Sequence, residues 1–335
     1  MTTESLAETM MWNPQEATAD GGQVRRLFFH GTGGSLFGIY IVNIFLTIVT
    51  FGVYYFWGKA KVRSYLLSQT EFTGDRLAYH GTGKELLIGF LKAALILGGL
   101  RLLMFLPSLL NAGEVIEVLI TLLAAGMIFV FVPLAMVGTR RYRLSRISWR
   151  GIRFSFRGEF LEFVKLFLRG AFLTMISLGL YYPFFVTQQH AFMVSRTYFG
   201  NRKFDFDGRG RDLFRGFVLA YLLYLPTLGL YWFWFLAQKQ RYFWEHTSFG
   251  GARFRSTVTG GRLLLLHLGN LLLLIVTLGL GRPWVIVRNA HFISQHLTLE
   301  GPLDLADIQQ EAQVASTTGE GLASFLDLDF GFDFV

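Results

Sequence analysis

The chain has 335 residues, of which 52% are hydrophobic and only 16% are charged, and its mean hydropathy is +0.42. This composition is far more apolar than that of a soluble domain, and it predicts an integral membrane protein. The chain contains no Cys, which excludes disulfides, zinc thiolate sites and cysteine catalysis.

The two ends of the chain differ from its body. Residues 1–23 form a polar N-terminal segment in which no cleavable signal peptide is visible. Residues 300–335 form an acidic tail that holds eight of the 23 Asp and Glu and no Lys or Arg, so residues 1–299 hold all 31 cations and carry a net charge of +16. This asymmetry predicts that the tail folds back on the body, or repels something that the body attracts.

Between these ends, residues 24–299 are expected to form one membrane domain. Several of its apolar stretches approach the ~20 residues that a helix needs to cross a bilayer. They cover residues 36–57, 86–110, 115–137, 160–186, 217–236 and 263–287.

The first stretch is interrupted and then ends in cations, as TIVTFGVYYFWGKAKVR over residues 47–63. The same break recurs as SLGLYYPF, TLGLYWFW and TLGLGRPW, which align Thr50 with Ser177, Thr227 and Thr277. The spacing between most copies is 50 residues, and this self-similarity predicts tandem repeats.

One copy is irregular. RRYRLSRISWRGIRFSFRG matches the region after the first break at an offset of 77 residues and lacks the Thr-x-Gly, with Met127 and Phe129 in those places. The additional residues, near 87–113, have the length of one added transmembrane helix.

Each copy continues into a stretch that alternates by twos around a turn, as in KFDFDGRG and IRFSFRG. This pattern is typical of a β-hairpin, and because single hairpins are marginal alone, the hairpins are expected to pair into one extramembrane sheet or ring. The predicted fold class is therefore a mainly α-helical integral membrane protein of tandem ~50-residue repeats, each with a helix, a Thr-x-Gly break, a second helix and a β-hairpin.

These motifs resemble the YjgN-like family of bacterial inner-membrane proteins, in which an apolar segment ends in Thr-x-Gly-x-Tyr and is followed by a basic helix end and a Gly-rich stretch. The match covers residues 27–301, and the closing GEGLASFLDLDFGF also resembles the end of the family's proteins. The last copy departs from the pattern, with Gly281 and Arg282 where Tyr54 and Tyr55 stand in the first. The resemblance implies a multi-pass protein of the bacterial inner membrane and no known activity.

All four hairpin regions carry a net positive charge, which favours the cytoplasmic side for all of them. Hairpins on one side must be joined by an even number of crossings, yet single Thr-x-Gly units separate several of them. We therefore expect each unit to be a re-entrant or sharply bent helical hairpin. The alternative is a set of complete, slightly kinked spans with hairpins on alternating sides.

The breaks are candidate ligand-binding sites, because helix N-termini presented at mid-membrane can bind anions. The alternative is structural, with Thr or Ser capping the second helix and Gly permitting the turn. Arg101 is a further candidate, since it lies near the middle of an apolar run with no acidic residue in the same run. The candidate break residues are Thr50, Gly52, Ser177, Gly179, Thr227, Gly229, Thr277 and Gly279.

Cations at the helix ends are expected to contact anionic lipid headgroups rather than nucleic acid. The candidates are Lys59, Lys61, Arg63, Arg140, Arg141 and Arg143. Asn43 and Asn270, near the first and last breaks, are expected to bond between helices. The seven His residues share no metal-ligand spacing, and no catalytic motif is found, so neither a metal or other cofactor nor an enzymatic activity is expected.

Two functions remain open. The first is transport or handling of an anionic lipid or solute through the breaks and the basic headgroup-level surface. The second is a non-catalytic membrane scaffold that recruits a protein partner through its β assembly and its acidic tail. The sequence leaves the oligomeric state open.

Overall fold

The computed structural model describes residues 24–110, 113–303 and 308. Its central element is a closed antiparallel barrel of ten short strands, in which neighbours along the chain are also neighbours in the barrel. Closure comes from β1 and β10, where Val24 lies opposite Glu300 and Arg26 lies opposite Thr298. The strands are β1 (Val24–Phe29), β2 (Thr70–Phe72), β3 (Asp75–Tyr79), β4 (Ile147–Trp149), β5 (Ile152–Phe156), β6 (Thr197–Phe199), β7 (Arg202–Phe206), β8 (Thr247–Phe249), β9 (Ala252–Ser256) and β10 (Leu297–Glu300).

Two helices connect each odd-numbered strand to the next even-numbered strand, which gives five successive β-α-α-β units. Because neighbouring strands run in opposite directions, all five helix pairs attach to one end of the barrel and the tight β-turns lie at the other end. Helices adjacent along the chain contact each other, and α10 contacts α1, so the helices form a ring. The helices are α1 (Gly33–Val49), α2 (Tyr55–Ser68), α3 (Gly83–Leu109), α4 (Glu114–Ser145), α5 (Phe160–Ile176), α6 (Tyr182–Ser195), α7 (Gly210–Leu223), α8 (Trp232–Glu245), α9 (Gly260–Val276) and α10 (Arg282–His296).

The barrel corrects the predicted fold class. The apolar stretches predicted a mainly helical integral membrane fold, to which the hairpins contributed an outlying β assembly. In the structure, the closed barrel joins all five units, and only α3 and α4 among the described helices are long and apolar enough to cross a membrane. The prediction was wrong because the long apolar runs in the sequence indicate helices. The strands are only three to six residues long, and their closure into a barrel leaves little signal in the sequence.

The Thr-x-Gly turns are held by side-chain hydrogen bonds. The Thr50 hydroxyl donates to the Leu46 carbonyl at 2.7 Å and accepts from the Tyr54 N–H at 2.9 Å, which links the last turn of α1 to the start of α2. Phe51 and Gly52 both have positive φ, at 51° and 92°, and the Gly52 N–H bonds the Thr47 carbonyl at 2.7 Å. This is a Schellman-type helix end, which favours Gly where the chain reverses.

The other three breaks repeat this arrangement. The residue between Thr or Ser and Gly again has φ near 50°, and the glycine N–H again bonds a carbonyl five residues back. Each hydroxyl again has two backbone partners. The hydroxyls belong to Ser177, Thr227 and Thr277, and the glycines are Gly179, Gly229 and Gly279.

The second helix pair is longer than the others. α3 has 27 residues and α4 has 32, against 17 for α1 and 14 for α2. Residues 87–113, where an added helix was predicted, form most of α3 and the turn into α4, and α4 is extended as well. The additional residues therefore lengthen both helices, so that α3 is roughly 15 Å longer than α1 and α4 is roughly 27 Å longer than α2.

Aromatic side chains line the barrel interior. Trp149, Phe199 and Phe249 come from equivalent positions on β4, β6 and β8 and are buried, with ring centroids 5.6 Å and 6.1 Å apart. At the turn end, Leu303 and Ile308 pack against this cluster. The rest of the acidic tail, apart from residues 300–303 and 308, lies outside the described residues, as does the N-terminal segment 1–23.

We predict that Thr277→Val destabilises the protein by about 1–2 kcal/mol, because it removes the hydroxyl that bridges α9 and α10 and leaves two backbone groups without this partner. Thermal unfolding of the purified protein measures the effect. Thr277→Ser is the matched control, and it is expected to unfold like the wild type. The Ser177 hydroxyl also bridges its turn, donating to the Thr174 carbonyl at 3.3 Å and accepting from the Tyr181 N–H at 2.9 Å. Equal destabilisation by both substitutions would contradict the assigned role.

Candidate ligand-binding groove

A groove of about 510 Å³ runs along the inner faces of α1, α2 and α10. Its wall is largely apolar, with Phe37, Ile41 and Ile44 from α1 and Val62 and Leu66 from α2. The spacing of these residues puts each set on one helix face. Volume and lining are of the kind found in small-molecule sites, in which an apolar wall carries a few polar groups.

Four cations line this groove. Lys59 and Arg63 are four residues apart on α2 and therefore share one face, Arg143 comes from the barrel end of α4, and Arg282 begins α10. No Asp or Glu is among the described residues that line the groove. The site is therefore suited to an anionic group attached to an apolar body.

Two asparagines add neutral polar groups. Asn43 is buried on α1 and donates to the Gly58 carbonyl at 3.2 Å, while its Oδ1 atom has no hydrogen-bond partner. Asn289 on α10 accepts from Asn270 on α9 at 2.8 Å. Asn43 and Asn270 thus bond between helices, as the sequence led us to expect, and Asn43 and Asn289 also line the groove.

The other predicted headgroup cations lie elsewhere. Lys61 is exposed and donates to the Tyr54 hydroxyl at 2.7 Å. Arg141 donates to the Gly158 carbonyl at 2.8 Å and lies over the Phe160 ring. The structure thus brings Lys59, Arg63 and Arg143 of the six candidates together in the groove.

Arg140, the remaining candidate, belongs to a second polar cluster near the barrel. It lies 3.5 Å from the Thr197 hydroxyl, and its Nε atom is buried without a hydrogen-bond partner. His190 on α6 stacks on Phe243 at 4.1 Å between ring centroids. Burial, together with the nearby charges of Arg140 and Lys239, lowers the pKa of His190 to about 3, so its imidazole is neutral at physiological pH.

The break residues contribute little free hydrogen-bonding capacity. In each turn, the hydroxyl and the glycine N–H already have backbone partners, and of the eight break residues only Gly279 lines the groove. Arg101 lies on an exposed face of α3, away from the groove lining. The geometry thus gives the breaks a structural role in reversing the chain.

Arg282, Asn289 and His190 were missed as site residues by sequence reasoning. For Arg282 a signal was present, because it replaces the aromatic residue found at the same position in α2, α6 and α8. The sequence shows this only as a departure of the last copy from the pattern, whereas the structure places the cation in the groove. No group of three or more His, Asp or Glu side chains in the described part of the chain is placed to hold a metal ion.

We predict that stability falls as the pH is lowered below about 6.5, because the unfolded chain protonates His190 there and the folded protein does not until about pH 3. His190→Gln, which matches Gln240 in the next unit, removes this contribution. Between pH 7 and pH 5, the unfolding free energy of the variant is expected to fall by about 1–2 kcal/mol less than that of the wild type. Parallel stability profiles for variant and wild type between pH 7 and pH 5 would contradict the assignment.

Comparison with known proteins gives a consistent family but no structural precedent. The chain is 30% identical over 128 residues to "Inner membrane protein YjgN" of Escherichia coli strain K12, which covers 38% of this chain and 30% of that protein. The match to the protein of the same name from Salmonella typhimurium is also 30% identical, over 131 residues, 39% of this chain and 31% of the relative. The aligned segment thus spans less than a third of these relatives. No solved structure matches.

The family profile covers nearly all of the described chain. It matches residues 24–233 and 216–325, and its description is "Bacterial protein of unknown function (DUF898)". These matches confirm the resemblance that the Thr-x-Gly-x-Tyr motif indicated. The chain belongs to this YjgN-like family of bacterial proteins of unknown function, DUF898.

Proposed function

We propose that the protein resides in the bacterial inner membrane and binds an anionic lipid in the groove between α1, α2 and α10. The names of its relatives, "Inner membrane protein YjgN", support the location. The groove supports the ligand, and it is the observation that carries the proposal: four cations and no acidic residue among its described lining, on an otherwise apolar wall.

The outer surface of the helix ring favours insertion into the bilayer. Exposed Leu, Ile, Val and Phe side chains are numerous on α1, α3, α4 and α9, and large exposed apolar patches mark interaction surfaces. We propose that α3 and α4 cross the membrane and that the shorter pairs enter it from the barrel side and return. The net positive charge of the hairpins supports a cytoplasmic barrel.

The turns of the short helix pairs support the same orientation. Each places one large apolar residue at its tip, farthest from the barrel, and these residues are 80% to 98% exposed. A large apolar side chain that is exposed is more stable in contact with hydrocarbon than with water. This applies to all four tip residues, which are Phe51, Leu178, Leu228 and Leu278.

A lipid is favoured over a soluble anion because apolar side chains make up most of the groove wall. An acyl chain would lie against Phe37, Ile41 and Ile44, while a headgroup phosphate would accept hydrogen bonds from Lys59 and Arg63. The barrel interior is lined mainly by apolar side chains of the cluster around Phe199, which does not favour passage of a free anion. The alternative is a scaffold that recruits a partner through its β assembly and acidic tail. It has less support, because most of the tail lies outside the described residues.

We predict that the gently solubilised full chain carries bound anionic phospholipid in native mass spectrometry. The double substitution Lys59→Gln and Arg63→Gln is expected to lower lipid occupancy by about tenfold or more, because each charged hydrogen bond contributes about 1.5–3 kcal/mol. Lys61→Gln is the matched control, since Lys61 lies on the same helix but outside the groove. Absence of lipid from the wild type, or equal occupancy in both variants, would refute the proposal; a bound protein in place of lipid would favour the scaffold.

A further inference from the structure

We infer that a phosphate-type oxyanion binds where the helix ring meets the barrel, between Arg140 of α4, His190 of α6 and Lys239 of α8. We call these three residues the junction cluster. None of them lines the groove, so the inference adds a second binding site and does not rest on the proposed lipid binding.

Side-chain contacts bring the three helices of the junction cluster together. Arg140 lies 3.5 Å from the hydroxyl of Thr197, the first residue of the strand that follows α6. His190 stacks on Phe243 of α8, with 4.1 Å between the ring centroids. Lys239 precedes Phe243 by one helical turn and therefore lies on the same face of α8. The cluster thus joins three successive units of the ring.

The polar atoms of the junction cluster have few partners. The contact of Arg140 with Thr197 is at the limit of hydrogen-bonding distance, and the Nε atom of Arg140 is buried without a partner. Within the described part of the chain, neither Lys239 nor the His190 ring forms a hydrogen bond or an ion pair. Burial and the charges of Arg140 and Lys239 lower the pKa of His190, and no carboxylate is among the groups that act on it. Two cations therefore lie near one imidazole with no described counter-charge.

The junction cluster borders space inside the molecule. Its three side chains are surrounded by protein on most sides, yet each remains partly accessible to solvent. Side chains that are enclosed by the fold and still accessible indicate an internal space beside them. Arg143 follows Arg140 by three residues on α4 and lines the groove, so the groove provides an entry to this space.

The donors of the junction cluster suit an anion with several oxygen atoms. Burying two positive charges without an opposite charge is unfavourable, and a bound anion removes this cost. The guanidinium group of Arg140 can donate to two oxygens of a phosphate, and the Lys239 ammonium and the neutral His190 imidazole can donate to others. A phosphate has enough acceptor oxygens for all three residues. This chemistry is common to free phosphate and to the phosphate of a lipid headgroup.

The test is thermal unfolding of the purified full chain in detergent, with chloride replaced stepwise by inorganic phosphate at constant ionic strength. The wild type is expected to unfold at higher temperature as phosphate increases, because a ligand that binds only the folded state stabilises it. Lys239→Gln introduces the residue that α6 has at the equivalent position, Gln189. It is expected to weaken the apparent phosphate affinity about tenfold or more. In chloride alone it is expected to be at least as stable as the wild type, because it removes an unpaired charge.

Two further variants complete the test. Arg140→Gln is expected to weaken the phosphate response in the same way, so the result does not depend on the folding of one variant. Lys61→Gln is the matched control, since Lys61 is an exposed cation on α2, and it is expected to keep the wild-type response. A parallel titration with phosphatidylglycerol distinguishes the two sources of phosphate. A response to this lipid alone that depends on Lys239 supports the site and assigns it to a headgroup.

Two results would overturn the inference. The first is a wild type whose unfolding temperature responds to neither inorganic phosphate nor phosphatidylglycerol. The second is an equal response in the wild type, Lys239→Gln and Arg140→Gln, which would place the anion elsewhere. Lipid binding in the groove is judged separately, by lipid occupancy in the double variant of Lys59 and Arg63, so either proposal can fail without the other.

Discussion

Closure of the barrel between β1 and β10 is the constraint on which the rest of the structure depends. Hydrogen bonds between these strands join the first and last units, and every strand thereby has two partners. Since strands alternate in direction, each helix pair must leave and return at the same end of the barrel, whatever the length of its helices. Pairs as different as α1–α2 and α3–α4 are accommodated in one ring because only their barrel ends are fixed.

The same constraint brings together residues that are remote in the chain. Closure places α10 beside α1, so that Arg282 and Asn289 face the same groove as Lys59 and Arg63, more than 200 residues earlier. The hydroxyl bridges at Thr50 and Thr277 hold the turns that flank this groove. The barrel therefore orders the polar groups, while the apolar helices provide the wall on which an amphipathic ligand can lie.

The sequence reveals what is local and misses what depends on closure. Local sequence patterns suffice to recognise the 50-residue spacing, the hairpins and the Thr-x-Gly turns. The Thr50 hydroxyl accepts a hydrogen bond from the Tyr54 N–H, as the sequence indicated for a residue that caps the second helix. The fold class could not be read, because nothing near Val24 indicates that its partner is Glu300. The groove was predicted only in part. Lys59, Arg63 and Arg143 are indicated by the positive charge at the helix ends. Arg282 lines the groove only because barrel closure places α10 beside α1.

The central claim, that all five units share one side of the membrane, is tested most directly by site-specific labelling of a chain that has no natural Cys. Single Cys residues are placed at the equivalent exposed barrel positions Arg26, Arg76, Arg153, Lys203 and Arg253. The account predicts that all five stay protected from a membrane-impermeant maleimide in spheroplasts and react once the membrane is permeabilised. Labelling of some positions but not others in spheroplasts would contradict the closed barrel and the common side of its helix pairs.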